Sequence, residues 1–143
     1  AGILERDSLD DLDFDGMRRQ FEVNALGPLR VTRALLPNLG AGSKVVIITS
    51  RMGSIADNGS GGYYGYRMSK AAVNMFTVNL ARELADTGIK VNAAHPGWVK
   101  TDLGGEGAPM EVVDGAKTSV WLATLPAEGP TGGYYHGRDR LPW

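Results

Sequence analysis

The sequence predicts an α/β fold with a parallel sheet, and three observations lead there. Val45-Val46-Ile47-Ile48 is a short β-branched apolar run that ends in the small polar pair Thr49-Ser50, the pattern of a buried parallel strand. Ile89 to Ala94 reads as another short strand. A long helical pattern separates the two. The unit is therefore βαβ, which calls for a right-handed crossover and parallel pairing.

Taken in order, residues 1–13 read as a strand exit and a loop, with Ser8, Asp10 and Asp11 as turn formers. From Phe14 the apolar positions recur as Phe14, Met17, Phe21, Ala25, Pro28, Thr32, Leu35 and Leu39. Steps of three and four predict an amphipathic helix to about Asn38, capped by Asp13 or Asp15. Gly27-Pro28 inside that pattern predicts a kink, because proline removes a helix donor. Asn24 lies one turn earlier and by itself reads as a neutral helix residue. Gly40 to Ser43 is a loop. Arg51 to Gly65 reads as a long mobile loop around the Asp57-Asn58-Gly59 turn signal, either bordering a site or making a plain surface excursion. The second helix runs from about Tyr63 to Asp86, with Tyr66, Val73, Phe76, Leu80 and Leu84 as its stripe and Thr87-Gly88 as its stop. Leu103 to Pro109 reads as flexible. A third helix spans Met110 to Leu125, with Val113, Ala116, Val120 and Leu125 as inner positions. Thr131 to His136 reads as the last strand. No repeat or domain boundary interrupts the chain.

Composition sets limits on function. With 143 residues, 43% apolar and 22% charged, the chain has the profile of one ordinary globular unit. A formal charge of −1 gives no electrostatic reason to expect nucleic acid or an anionic membrane as partner. The chain has no cysteine, which excludes disulfides, thiolate metal sites and a cysteine nucleophile, and is consistent with a cytoplasmic protein. No apolar run approaches the roughly 20 residues of a membrane span, and no signal peptide is expected. The opening Ala1-Gly2, in place of Met, suggests an absent upstream part.

The chemistry gathers at strand ends. Tyr66 and Lys70 are four residues apart and share one helix face, with Cβ atoms about 5–6 Å apart. Ser50 stands at the end of the preceding strand. A hydroxyl, a phenol and an ammonium brought together suit proton transfer to or from an oxygen. His95 to Asp102 follows the second strand at its C-terminal end, the edge of an open α/β sheet where ligands bind. Each piece also has a plain structural reading. Tyr66 and Lys70 could be an amphipathic pair, Ser50 a strand terminator and Pro96-Gly97 a turn. His95 and His136 lack metal-ligand spacing and read as structural or surface residues. No metal motif is present, and Ser50 lacks the Gly-x-Ser-x-Gly elbow of a hydrolase.

In their order, these pieces resemble the short-chain dehydrogenase/reductase family, in its C-factor-like and sniffer-like carbonyl reductase branch. The matching residues are Ala1-Gly2 as the close of an Asn-Asn-Ala-Gly element, Val23-Asn24, Ser50 and Tyr66-x-x-x-Lys70. Val91-Asn92, Pro96-Gly97-x-Val99-x-Thr101 and Thr131-Gly132-Gly133-Tyr134 follow. The resemblance implies part of a Rossmann-like doubly wound parallel sheet, its C-terminal catalytic half. It implies an NAD(P)-dependent oxidoreductase that moves hydride between a nicotinamide cofactor and a carbonyl or alcohol substrate. The catalytic set would be Asn24, Ser50, Tyr66 and Lys70. Cofactor contacts would come from Ala1, Gly2, Tyr66, Lys70, Pro96, Gly97, Val99 and Thr101, with NADP favoured over NAD. Lys70 is expected to lower the Tyr66 pKa from about 10 so that the phenol can exchange protons, and Ser50 to bond the substrate oxygen. The Asn24 position would hold a relay water through a carbonyl freed at the kink.

The family's Gly-rich phosphate turn, which follows a first strand, has no counterpart here, nor does the acidic or basic selector beyond it. The N-terminal nucleotide-binding half is thus expected to be missing, leaving the strand at Lys44 with an unpaired apolar edge. The resemblance further implies a homodimer or homotetramer through the two long helices. A non-catalytic signalling or scaffold protein of the same fold, or an inactive fragment, is the alternative.

Overall fold

The computed structural model describes residues 2–143, so the expectation for Ala1 lies outside the described residues. The first helix is α1, Phe14–Phe21, capped by the Asp13 carboxylate, which accepts the Asp15 N–H at 3.0 Å. It does not kink simply. A π-helical turn at Glu22–Leu26 leads into α2, Gly27–Leu35, and a 3-10 turn at Leu36–Asn38 ends it. Pro28 supplies the physical reason. It has no N–H to give the Asn24 carbonyl one turn earlier, and the Gly27 N–H reaches back five residues to the Glu22 carbonyl.

Strand β1 is Lys44–Ile48 and β2 is Lys90–Ala94, joined through α3, Tyr64–Glu83. The two strands pair in parallel from Lys44↔Lys90 to Ile48↔Ala94, as the βαβ reading requires. Helix α3 stops through a 3-10 turn at Ala85–Thr87 and Gly88 at φ +76°. Beyond α4, Val112–Ala123, the chain forms β3, Tyr134–His136, and β4, Asp139–Arg140. β3 pairs in parallel with β2, whereas β4 runs antiparallel to β3. The sheet is therefore open and mixed, in the order β1-β2-β3-β4, and the all-parallel expectation is corrected at its last strand. Gly137 at φ +60° lets a tight turn add that strand. Among the described residues β1 pairs only with β2.

The sheet carries helices on both faces, because successive strand residues point to opposite sides. Val45 and Val91 pack with Leu80 and Ala81 of α3. Val46 and Ala94 pack with Leu122 of α4, together with Leu125 and Tyr135. The α3 stripe is as the sequence predicts, with Tyr66, Val73 and Leu80 buried and Phe76 and Leu84 partly so.

Two helix phases are corrected. In α4, Val113 and Val120 are exposed, 76% and 58%, and the buried positions are Gly115, Thr118 and Leu122. A helix apolar on several sides has no unique inner face in sequence. Close approach chose this one, since a Cβ on Gly115 would lie 2.5 Å from a Val99 methyl. In the first helix, Phe14, Phe21 and Leu35 are exposed, and the inner face uses Gln20, Asn24, Ala25 and Thr32. Gln20 and Asn24 face inward because backbone needs them there: the Glu5 N–H donates to Gln20 Oε1 at 3.0 Å. No helix of the described residues is long and apolar enough to cross a membrane.

Candidate active site

Three chain segments meet at the C-terminal ends of β1 and β2. After β1, Ser50 opens a 3-10 turn at Arg51–Gly53, its hydroxyl accepting the Met52 N–H at 3.2 Å. That turn lies hard against α3. A Cβ on Gly53 would come within 2.7 Å of the Lys70 backbone carbon, so glycine permits the contact that sets the depth of Lys70. Buried hydrogen bonds lock the same junction. The Thr49 hydroxyl donates to Asn74 Oδ1 at 2.6 Å, and the Asn74 amide donates to the Gly53 carbonyl at 3.2 Å.

The start of α3 is held from far away in sequence. Both oxygens of Asp7 accept the first helical N–H groups, of Tyr64 and, at 2.8 Å, of Gly65. The sequence reading missed this cap, since it lies 57 residues from its helix. Arg67 then pins the preceding loop. Its guanidinium donates to the Gly61, Gly62 and Met52 carbonyls and to the Ser60 hydroxyl. The loop expected to be mobile is therefore tied to α3. Its glycines present carbonyls to a cation, so Gly59–Gly62 is not a phosphate cradle.

Asn24 is no neutral helix residue. It is 1% exposed, and its side chain pairs with the Ile3 backbone, accepting the Ile3 N–H at 2.9 Å and donating to the Ile3 carbonyl at 2.8 Å. It also donates to the Ser69 hydroxyl at 3.0 Å, which in turn donates to the Tyr66 carbonyl at 2.7 Å. One amide thus joins the N-terminal segment, the π turn and α3. The third segment, after β2, folds back on itself. The Met110 N–H donates to the Trp98 carbonyl, the Lys100 N–H to the Met110 carbonyl, and the Trp98 indole to the Gly104 carbonyl at 2.7 Å.

These segments enclose a cavity of about 550 Å³. Ser50, Tyr66 and Lys70 line it, as do Gly2, Pro96, Gly97, Val99 and Thr101. Asn24 stands behind the wall, with its Oδ1 about 3.4 Å from where a Gly2 Cβ would be. The structure thus brings together every described residue named from sequence. His95, read as structural or surface, also lines the cavity. Its Nδ1 accepts the Arg51 N–H at 3.3 Å, and its ring lies 5.0 Å from that of His136. Its place directly after β2 was the available signal. Burial drives its pKa down to about 4, so the ring is neutral.

The electrostatics correct one expectation. Burial raises the Tyr66 pKa, and the Ser50 hydroxyl opposes that rise without reversing it. Lys70 does not lower it. The Lys70 amine sits 5.6 Å from the Tyr66 ring centroid, over the ring, and burial pulls its own pKa down to about 8. Desolvation penalises both charged forms in the same apolar pocket. Near neutral pH the pair is therefore a protonated phenol beside an ammonium that gives up its proton more readily than a free lysine does.

The cavity also tests whether a nicotinamide cofactor suits these residues. Lys70, 4% exposed, gives one N–H to the Ile48 carbonyl at 3.3 Å and, among the described residues, has no carboxylate partner. Its remaining donors fit the hydroxyls of a ribose, and the apolar walls fit a flat ring. The nicotinamide–ribose end is thus accommodated. Among the described residues, no glycine-rich turn presents N–H groups for a pyrophosphate.

Comparison with known proteins agrees with this geometry. The description "short chain dehydrogenase" matches residues 1–111. The chain is 52% identical over 103 residues to 1-hydroxy-2-glutathionyl-2-methyl-3-butene dehydrogenase of Rhodococcus sp. (strain AD45), covering 72% of this chain and 46% of that protein. It is 49% identical over 112 residues to C-signal of Myxococcus xanthus, covering 77% and 68%. Carbonyl reductase Sniffer of D. melanogaster superimposes with a TM-score of 0.90 at 29% identity, over 100% of this chain and 64% of that one. The NADPH-bound carbonyl reductase from chicken fatty liver gives 0.84 at 31% identity, over 100% and 63%. The chain spans about half the length of the Rhodococcus relative and about two thirds of the others.

Proposed function

This chain belongs to the short-chain dehydrogenase family, and from that premise we propose that it carries the catalytic centre of an NAD(P)-dependent oxidoreductase acting on a carbonyl or alcohol. The observation that carries the reading is the convergence of Ser50, Tyr66, Lys70 and the Pro96–Thr101 segment on one cavity. The nicotinamide ring, when bound, supplies or accepts the hydride. The Tyr66 phenol donates a proton to the substrate oxygen in reduction and takes it back in oxidation. The Ser50 hydroxyl donates a hydrogen bond to that oxygen as charge develops. Lys70 holds the ribose and passes protons behind Tyr66. Asn24 positions α3 and the Gly2 backbone around them, and its backbone carbonyl, which gets no donor from Pro28, would hold a relay water. Gly2, Pro96, Gly97, Val99 and Thr101 form the wall for the nicotinamide. NADP is the favoured cofactor, since the chicken relative is NADPH-bound.

The reading includes a cytoplasmic homodimer or homotetramer built on the long helices, where Phe14, Phe21, Met68 and Met75 are exposed. A monomer by light scattering, well above micromolar concentration, would remove that part. Similarity to C-signal supports a second reading, a signalling protein that keeps the scaffold. Titration of NADPH and NADH, read by nicotinamide fluorescence, followed by carbonyl reduction assays, separates the two. Saturable binding with turnover that Tyr66→Phe abolishes, at unchanged circular dichroism, is the enzyme outcome. Turnover that survives Tyr66→Phe rejects the mechanism.

A further inference from the structure

The cavity at Tyr66 opens into a second lobe, and the charges on its walls are of one sign. This lobe, about 470 Å³, shares Ser50, Tyr66, His95 and Trp98 with the first but extends the other way, toward Arg6, Arg51 and Arg67. Its lining holds three guanidinium groups and no carboxylate. Lys70, the cation of the first lobe, is not part of it.

The three arginines differ in what already holds them. Arg67 donates to carbonyls and a hydroxyl through three of its five N–H groups and, among the described residues, meets no carboxylate, so its charge is not neutralised. Arg51 has one carboxylate, Asp57, at 3.3 Å on the exposed rim. Arg6 is exposed and, among the described residues, makes no ion pair or side-chain hydrogen bond, so its whole planar fork is available. Neutral His95 adds no charge of its own. Between these groups and the Ser50–Tyr66 pair, Leu4, Met52 and Trp98 supply apolar wall. A cleft of one sign with low-dielectric walls concentrates counter-ions and orients them.

We propose that the substrate of this site is a carbonyl or alcohol compound carrying an anionic group, a carboxylate or sulfonate, separated from the reacting oxygen by an apolar spacer. The anion lies against Arg6, with Arg51 and Arg67 adding field, and so directs the carbonyl end to Ser50 and Tyr66. The inference rests on the oxidoreductase reading for the reacting end and on the second lobe's own charges for the other.

The test compares 4-acetylbenzoate with its methyl ester, which differ in charge at nearly constant shape. Binding is read by equilibrium dialysis and turnover by NADPH absorbance, at low and high salt. At low ionic strength the acid should be preferred by about fivefold or more, and salt near 0.5 M should shrink that ratio toward unity, because exposed pairs are screened. Arg6→Gln should reduce the preference at least threefold, and Arg6→Lys should restore part of it. Equal or better binding of the ester by the unaltered protein overturns the inference. So does an Arg6→Gln effect on NADPH affinity in place of acid preference, which would put the arginines on the cofactor's phosphate. Acid preference in binding without any turnover of either compound upholds the anion site and rejects the oxidoreductase reading instead.

Discussion

Replacing Lys70 by methionine asks directly how far burial has shifted its amine. The unfolded chain carries this group near 10.5, and the fold lowers it to about 8, with burial as the cause. The folded state therefore disfavours the ammonium. Below about pH 8 both states hold the proton, and the fold bears the full desolvation cost. At about 1.4 kcal/mol per unit, that cost is about 3 kcal/mol. Between about pH 8 and pH 10.5 the folded protein releases the proton while the unfolded chain keeps it. The unfolded state then binds more protons, so stability rises with pH across this window. Lys70→Met fills the same space without titrating and should be the more stable protein near neutrality. Its advantage should narrow by about 2 kcal/mol from about pH 8 to pH 10. Urea unfolding of both proteins at four pH values measures the difference, in which all other titrations cancel, Tyr66 included. A gap that stays constant within about 0.5 kcal/mol across the window would refute the reasoning and place the amine in contact with water.

Asn24→Ala should cost about 2–4 kcal/mol in urea unfolding, because it strips partners from the Ile3 N–H and carbonyl and from Ser69 at once. Amide exchange at Ile3 should accelerate in the same variant, and an unchanged Ile3 would disprove the clamp. Gly53→Ala should lose about 1–3 kcal/mol and displace Lys70, since the added methyl meets the Lys70 backbone at 2.7 Å; a melting temperature within a degree of the parent would show that the turn yields. Asp7→Ala should cost about 1 kcal/mol through the start of α3, read as lost helix protection at Tyr64 and Gly65.

Local pattern alone determined much of this protein. The β-branched run at Val45–Ile48 marked a strand, and the helix between it and Ile89–Ala94 required parallel pairing; its expected burial holds for Ile47 alone, since Val45 and Val46 are half-buried and Ile48 is exposed at the sheet edge. Pro28 announced an irregular turn because a missing N–H is a property of one residue. Four-residue spacing placed Tyr66 and Lys70 on one face, and strand-end position placed Ser50 and Pro96–Thr101 at one edge. Those are consequences of periodicity and covalent chemistry, which need no tertiary contact. Tertiary structure decided the rest. The inner face of α4 depended on a close approach of Gly115 to Val99, which no periodicity encodes. Asp7 caps a helix 57 residues away, and Asn24 binds Ile3 from 21 residues away; both are unions of segments that only folding brings together. The antiparallel β4 was two residues long and too short to leave a pattern. The proton chemistry of the site also lay beyond the sequence. Spacing put an ammonium beside a phenol, but the direction of each pKa depends on how much water the fold removes, and here burial raises that of Tyr66 and lowers that of Lys70.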